Sequence, residues 1–94
     1  MTKERVIEEL ETIIDPHIGI DIWTLGLIYD ISIKGDRAIC ITMTYTTPLC
    51  PFGAQLQQQI TDGMRGLGFV SVEIVVSFDP PWVAPEALRD ALGV

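Results

Sequence analysis

A chain of 94 residues makes one domain, and its 48% apolar content is at the high end of the globular range. The net charge of −7 comes with acids spread along the chain and no Lys/Arg cluster, so nucleic acid and anionic membranes are poor partners. The longest apolar run is too short to span a membrane. Met1-Thr2-Lys3-Glu4-Arg5 opens a charged helix and not a signal peptide, so a soluble cytoplasmic protein is expected. A chain of this size buries roughly 60–65% of its unfolded surface, enough for one two-layer core without a disulfide or structural metal.

Val6, Ile7, Leu10, Ile13 and Ile14 recur at helical spacing, with Glu4, Glu8, Glu9 and Glu11 on the other side. Thr2 is the expected N-cap of this first helix, and Asp15-Pro16 its stop. From Leu27 to Ile33 the pattern alternates, placing Leu27, Tyr29, Ile31 and Ile33 on one face of a strand. Lys34-Gly35-Asp36 makes a turn. Ala38 to Tyr45 then sets Ile39, Ile41, Met43 and Tyr45 against Cys40, Thr42 and Thr44, completing a hairpin with one dry face. Phe52, Leu56, Ile60, Met64 and Leu67 form a second helical stripe, which Gly66 and Gly68 end. Val70, Val72, Ile74, Val76 and Phe78 line one face of a third strand, and Pro80-Pro81 forbids ladder pairing beyond it. Pro85 to Leu92 is a candidate short C-terminal helix.

The order α-β-β-α-β points to an α+β fold, a two-layer sandwich with two helices over one face of a three-stranded mixed sheet. The crossover through the second helix makes strands 2 and 3 parallel, with strand 1 antiparallel to them. Whether strand 3 lies beside strand 2 or strand 1 stays open. The start of strand 1, the end of strand 2 and the end of strand 3 should converge on one edge, with Asp15-Pro16 beside them. Such strand-end edges next to a helix N-terminus favour ligand sites.

The residue that points most directly at chemistry is Cys50, in the run Thr46-Thr47-Pro48-Leu49-Cys50-Pro51. Pro51 suits a first helical position, which makes Cys50 the N-cap, its sulfur facing free N–H groups and the positive end of the helix dipole. That setting favours the thiolate, the form that attacks electrophiles and binds metals. The alternative is a small buried hydrophobe. Thr46 and Thr47 either donate hydrogen bonds to what Cys50 holds or satisfy the turn backbone. Asp15, beyond a helix C-terminus, is a candidate site acid or a plain Asp-Pro turn starter, and Asp79 before Pro80 carries the same two readings. Trp82 either lines a pocket mouth or pins the C-terminal segment to the core, and the pin is preferred. His17, the single histidine, reads as a solvated loop residue.

Cys40 sits mid-strand, where packing is its ordinary role. The stretch from Cys40 to Thr46 alone spans about 20 Å when extended, whereas a disulfide needs Cα atoms within about 7 Å. Both thiols are expected free, as in a reducing compartment. Gly-rich phosphate loops, Cys-x-x-Cys pairs, paired-His spacings and nucleophile elbows are all missing from the sequence.

Three segments taken in order resemble a known family. Asp15-Pro16-His17-Ile18-Gly19-Ile20-Asp21-Ile22 with Leu25-Gly26-Leu27-Ile28-Tyr29-Asp30 is similar to the entry motif of SufT/PaaD-like metal–sulfur cluster assembly domains, the MIP18-like family. Thr44-Tyr45-Thr46-Thr47-Pro48-Leu49-Cys50-Pro51 resembles its Thr/Cys motif, and Asp79-Pro80-Pro81-Trp82 its closing motif. The resemblance covers nearly the whole chain, as a single domain over 1–94. It implies an alpha-lytic-protease-prodomain-like fold and a role in maturing or delivering iron–sulfur clusters. It carries the family's cysteine onto Cys50, its early acid onto Asp15 and its threonine pair onto Thr46 and Thr47. His17 departs from the family's usual Glu, which weakens any mechanism needing a second carboxylate there. The cysteine-rich extension of the longer PaaD proteins does not follow in this sequence, so a subunit role in ring oxygenation is not expected, and no fused ATPase domain is expected either.

The expectation is an accessory factor, not an enzyme, with Cys50 as a transient cluster ligand or transfer thiol. One thiolate cannot complete a cluster, so the remaining ligands would come from a second subunit, a partner or a small thiol. A symmetric homodimer bridged through two copies of Cys50 is one such geometry. The expected partners are the assembly machinery and client apoproteins. The competing expectation is an interaction adaptor that docks a client through the sheet edge and Trp82, with Cys50 structural. A thiol enzyme with Asp15 or His17 as base is the third.

Overall fold

The computed structural model describes residues 2–16, 18–35, 37–45, 53–79 and 81–83. Their order is α1 (Lys3–Leu10), β1 (Ile28–Lys34), β2 (Ala38–Met43), α2 (Gly53–Gly66) and β3 (Ser71–Val76), the α-β-β-α-β order expected. His17, Thr46, Thr47, Cys50 and the candidate helix over 85–92 lie outside the described residues.

Thr2 caps α1 as its sequence position predicts: its backbone is extended, and its Oγ1 accepts from the Arg5 N–H at 3.4 Å. Val6 and Leu10 are fully buried. The helix stops at Leu10, however, and not at Asp15-Pro16. The reason is local. Thr12-Ile13-Ile14 is a β-branched run of low helix propensity, and the Thr12 hydroxyl donates 2.6 Å to the Glu9 carbonyl, competing for the last turn. Ile14 instead bridges Asp21, and Ile22 N–H donates to Ile13 O at 2.9 Å. Ile13 thereby stays in the core while Ile14 turns out, 46% exposed. A second tight turn follows, in which Asp21 Oδ2 accepts from the Thr24 N–H at 2.8 Å and Gly26, at φ 75°, lets the chain reverse into β1. Ile22, Leu25 and Leu27 from this loop are all buried.

The sheet order is β1-β2-β3, so β2 is central, antiparallel to β1 and parallel to β3. This settles the strand order that the pattern left open. Ile31 faces Ile41 and Ile33 faces Ile39 across the hairpin, and Ile39, Ile41 and Met43 align with Val72, Ile74 and Val76. The β1 alternation is not continuous. Ile28 pairs with Met43 but Asp30 pairs with Thr42, leaving Tyr29 as the extra residue of a bulge. Ile28, and not Tyr29, therefore stands opposite the core-facing Met43.

On α2, Leu56, Ile60 and Met64 are fully buried and Leu67 half-buried, as the stripe predicts. Gly68 at φ 111° follows the helix, and Phe69 N–H reaches back to Met64 O at 3.2 Å, which turns the Phe69 ring inward. Val70 and Phe78, both expected on the dry face of β3, are instead 67% and 44% exposed. Pairing with β2 begins only at Ser71. It ends at Val76, because the Ser77 hydroxyl closes a turn on the backbone of Asp79. Both helices and the loop before β1 share one core with Ile31, Ile39, Ile41 and Met43. The opposite sheet face presents rows such as Ser32, Cys40 and Glu73, with Cys40 a free, half-buried thiol.

Candidate functional site

Three hydrogen bonds draw the strand ends together at one edge. Thr44 N–H donates to Leu27 O at 2.8 Å, joining the end of β2 to the entry of β1. Ser77 N–H donates to Met43 O at 2.8 Å, joining β3 to the same point. The Trp82 indole Nε1–H donates to Leu25 O at 2.7 Å, folding the chain after β3 back over the loop before β1. The convergence expected from topology is therefore present, and Tyr45, the last described residue before the segment 46–52, follows directly on Thr44 at this edge.

Both anchors of that segment touch. Tyr45 is half-buried, and its hydroxyl accepts a 2.6 Å hydrogen bond from Gln57 Nε2, one turn into α2. Its ring lies so close to the first residue of that helix that a Cβ on Gly53 would come within 3.0 Å of it. Glycine here is a matter of room. The ring also meets Phe78 at a centroid distance of 6.2 Å. Cys50, Thr46 and Thr47 thus belong to a short stretch whose two ends are fastened side by side.

Of the predicted supporting residues, Asp15 is 1% exposed. Its backbone also makes the turn that the alternative reading required: its N–H donates to Ile20 O at 3.0 Å, and its carbonyl accepts from Gly19 at 2.7 Å. A carboxylate so deeply placed is costly unless hydrogen-bonded, which an ordinary turn starter avoids. Asp15 is linked to the edge through Ile13–Ile22 and then Ile22–Leu27 backbone bonds, the latter 3.1 Å. Asp79 is exposed, and its backbone takes part in the Ser77 turn. Trp82 is half-buried with its polar tip directed inward, the geometry of a pin.

The sequence reading missed Thr44, Tyr45, Gln57 and Gly53. Strict alternation puts Thr44 on the polar sheet face with Cys40 and Thr42, yet it is fully buried, and Oγ1 has no hydrogen-bond partner among the described residues. Only its place inside the Thr/Cys motif hinted at a role. Among the described residues, no group of three or more His, Cys, Asp or Glu side chains converges as a metal site. An open depression of about 530 Å³ between Lys34, Arg37, Ala38, Val70 and Ser71 lies at the hairpin end, and not here. No helix among the described residues is long and apolar enough to cross a membrane.

The chain can now be set beside known proteins. Residues 3–76 match the model of the family described as iron-sulfur cluster assembly protein. The chain is 33% identical over 90 residues to the Fe-S protein maturation auxiliary factor YitW of Bacillus subtilis, covering 95% of this chain and 88% of that protein. It is 33% identical over 86 residues to the Fe-S protein maturation auxiliary factor SufT of Staphylococcus aureus, covering 87% of this chain and 98% of that one. In structure it is similar to the conserved hypothetical protein TM0487 of Thermotoga maritima, with a TM-score of 0.86 and 36% identity over 100% of this chain and 96% of that chain. The motifs, the fold and these matches agree: the chain belongs to the iron–sulfur cluster assembly protein family.

Proposed function

We propose that this protein is an accessory factor in iron–sulfur cluster assembly or delivery, with Cys50 as the transient thiolate that holds or passes on the cargo. What carries the reading is the match, over most of both chains, to relatives named as Fe-S protein maturation auxiliary factors. The contact of Tyr45 with Gly53 and its hydrogen bond from Gln57 support it, since they bring the two residues flanking the segment 46–52 together at the start of α2. A helix N-terminus there favours anionic sulfur. Asp15 and the hydroxyls of Thr46 and Thr47 would support that centre, with Asp79 at its rim and Trp82 holding the edge closed.

Cluster and iron are cargo on this reading, and the protein is not a catalyst in its own right. One thiolate leaves most ligand positions unfilled. They fall to a second copy of the chain, an assembly partner or a small thiol, and a homodimer joined through two Cys50 residues meets the need. Donor machinery and client apoproteins are then the partners, and a reducing cytoplasm is the setting in which the thiol stays competent.

Cys50→Ser should abolish delivery of a reconstituted cluster to an apoprotein acceptor while leaving the melting temperature unchanged. Full delivery by the variant would overturn the thiolate role. The adaptor reading draws on Phe78 and Val83, exposed on either side of Trp82. It requires a Cys50 that alkylates slowly in the folded protein, whereas a transfer thiol alkylates fast near neutral pH.

A further inference from the structure

At the other end of the sheet, the open depression of about 530 Å³ lies between Lys34 at the end of β1, Arg37 and Ala38 where β2 begins, and Val70 and Ser71 where β3 begins. Its lining is tied together by the backbone: Val70 N–H and Ser71 N–H both donate to Arg37 O, at 2.8 and 3.0 Å. The apolar wall follows from the turn after α2. Gly68, at φ 111°, and the bond from Phe69 N–H to Met64 O bring the Phe69 ring inward. The next side chain, Val70, is left 67% exposed at a position that its own N–H holds fixed. Lys34 and Arg37 are exposed beside it, and among the described residues neither side chain pairs with a carboxylate. In a chain with 13 acidic and 6 basic residues, two cations thus stand free around one apolar side chain, and no described carboxylate lines the depression.

We propose that this depression docks an acidic segment of a partner protein, its carboxylates beside Lys34 and Arg37 and an aliphatic side chain against Val70 and Ala38. Charge complementarity selects the occupant. A lone phosphate would use the cations and leave Val70 in water, and a nucleic acid would meet the −7 charge of the chain as a whole. The depression is too open to enclose a small molecule in the way ligand clefts do, and suits an extended segment lying across it. β2 runs from Ala38 at the depression to Met43 at the strand-end edge, a rise of about 17 Å. A partner held here therefore leaves that edge open to a second protein, and nothing in the docking depends on Cys50.

The test follows the amide NMR signals of the full chain during titration with a capped hexapeptide alternating glutamate and leucine. The same peptide with glutamine or lysine in place of glutamate, and inorganic phosphate, serve as controls. The glutamate peptide should shift the amides of Arg37, Ala38, Val70 and Ser71 saturably, the glutamine peptide should bind several-fold more weakly, and the lysine peptide should not bind. Reversing both charges, with Lys34→Glu and Arg37→Glu, should weaken binding by about tenfold or more. Val70→Ser should weaken it by about fivefold. All three positions are exposed, so the variants should melt with the parent. Should the reversal disturb the turn, Lys34→Gln with Arg37→Gln removes the charges alone. The absence of any shift at these amides, equal binding of the glutamine peptide, or parental binding by the charge variants would overturn the proposal. Phosphate that shifts the same amides as strongly as the peptide, with Val70→Ser indifferent, would make this a small-anion site and overturn the protein partner.

Discussion

The indole of Trp82 spans 57 positions of sequence with one hydrogen bond, to Leu25 O at 2.7 Å. It turns the residue from a surface aromatic into a clasp that fixes the path of the chain after β3. Trp82→Phe keeps most of the apolar contact but leaves Leu25 O without this donor, and should lower unfolding stability by about 1 kcal/mol. Trp82→Ala should cost more, since the ring packs on the core. Urea unfolding of the two variants separates the clasp from the packing. Equal stability of Phe and parent would mean that the bond contributes nothing. At this scale the sequence disclosed the pin but not its partner, because a carbonyl acceptor carries no side-chain signature. Thr44 was less legible still. Alternation assigns it to the polar face, and only its enclosure at the strand end contradicts that.

Among the elements, α1 shows how periodicity overreaches. Ile13 and Ile14 both continue its apolar stripe, and only Ile13 is buried, at 4% exposure against 46% for Ile14. The two substitutions are therefore expected to separate. Ile13→Ala should destabilise by about 2–4 kcal/mol, in the range of core truncations, and Ile14→Ala by less than about 1 kcal/mol. Chemical denaturation would check this, and comparable losses would place Ile14 in a longer helix. The β1 bulge is a second case: the extra residue at Tyr29 puts Ile28 opposite Met43, and no local pattern announces it. The stripe of α2 was legible over Leu56, Ile60 and Met64 because they keep a strict four-residue spacing, while Phe52 lies outside the described residues.

For the molecule as a whole, the central position of β2 orders stability across the sheet. Its residues bond to neighbours on both sides, whereas β3 has one partner and exposed Val75 on its outer positions. Native-state hydrogen exchange should find the amides of β2 among the slowest of the sheet and those of β3 faster. Comparable protection of β3 and β2 in the purified protein would signal a further strand added to that edge, as self-association would supply.

The sequence by itself determined the element order, the two helical stripes, the dry face of the hairpin, the parallel crossover and the motifs that named the family. All of these depend on local periodicity, turn chemistry or chain connectivity, and so can be read within a window of residues. Tertiary structure alone decided that β2 is central. It also decided that Asp15 and Thr44 are enclosed, and that Tyr45 closes on Gly53. These outcomes depend on which distant surfaces meet. Burial of a polar side chain is set by what covers it, and nothing in the neighbouring sequence encodes that.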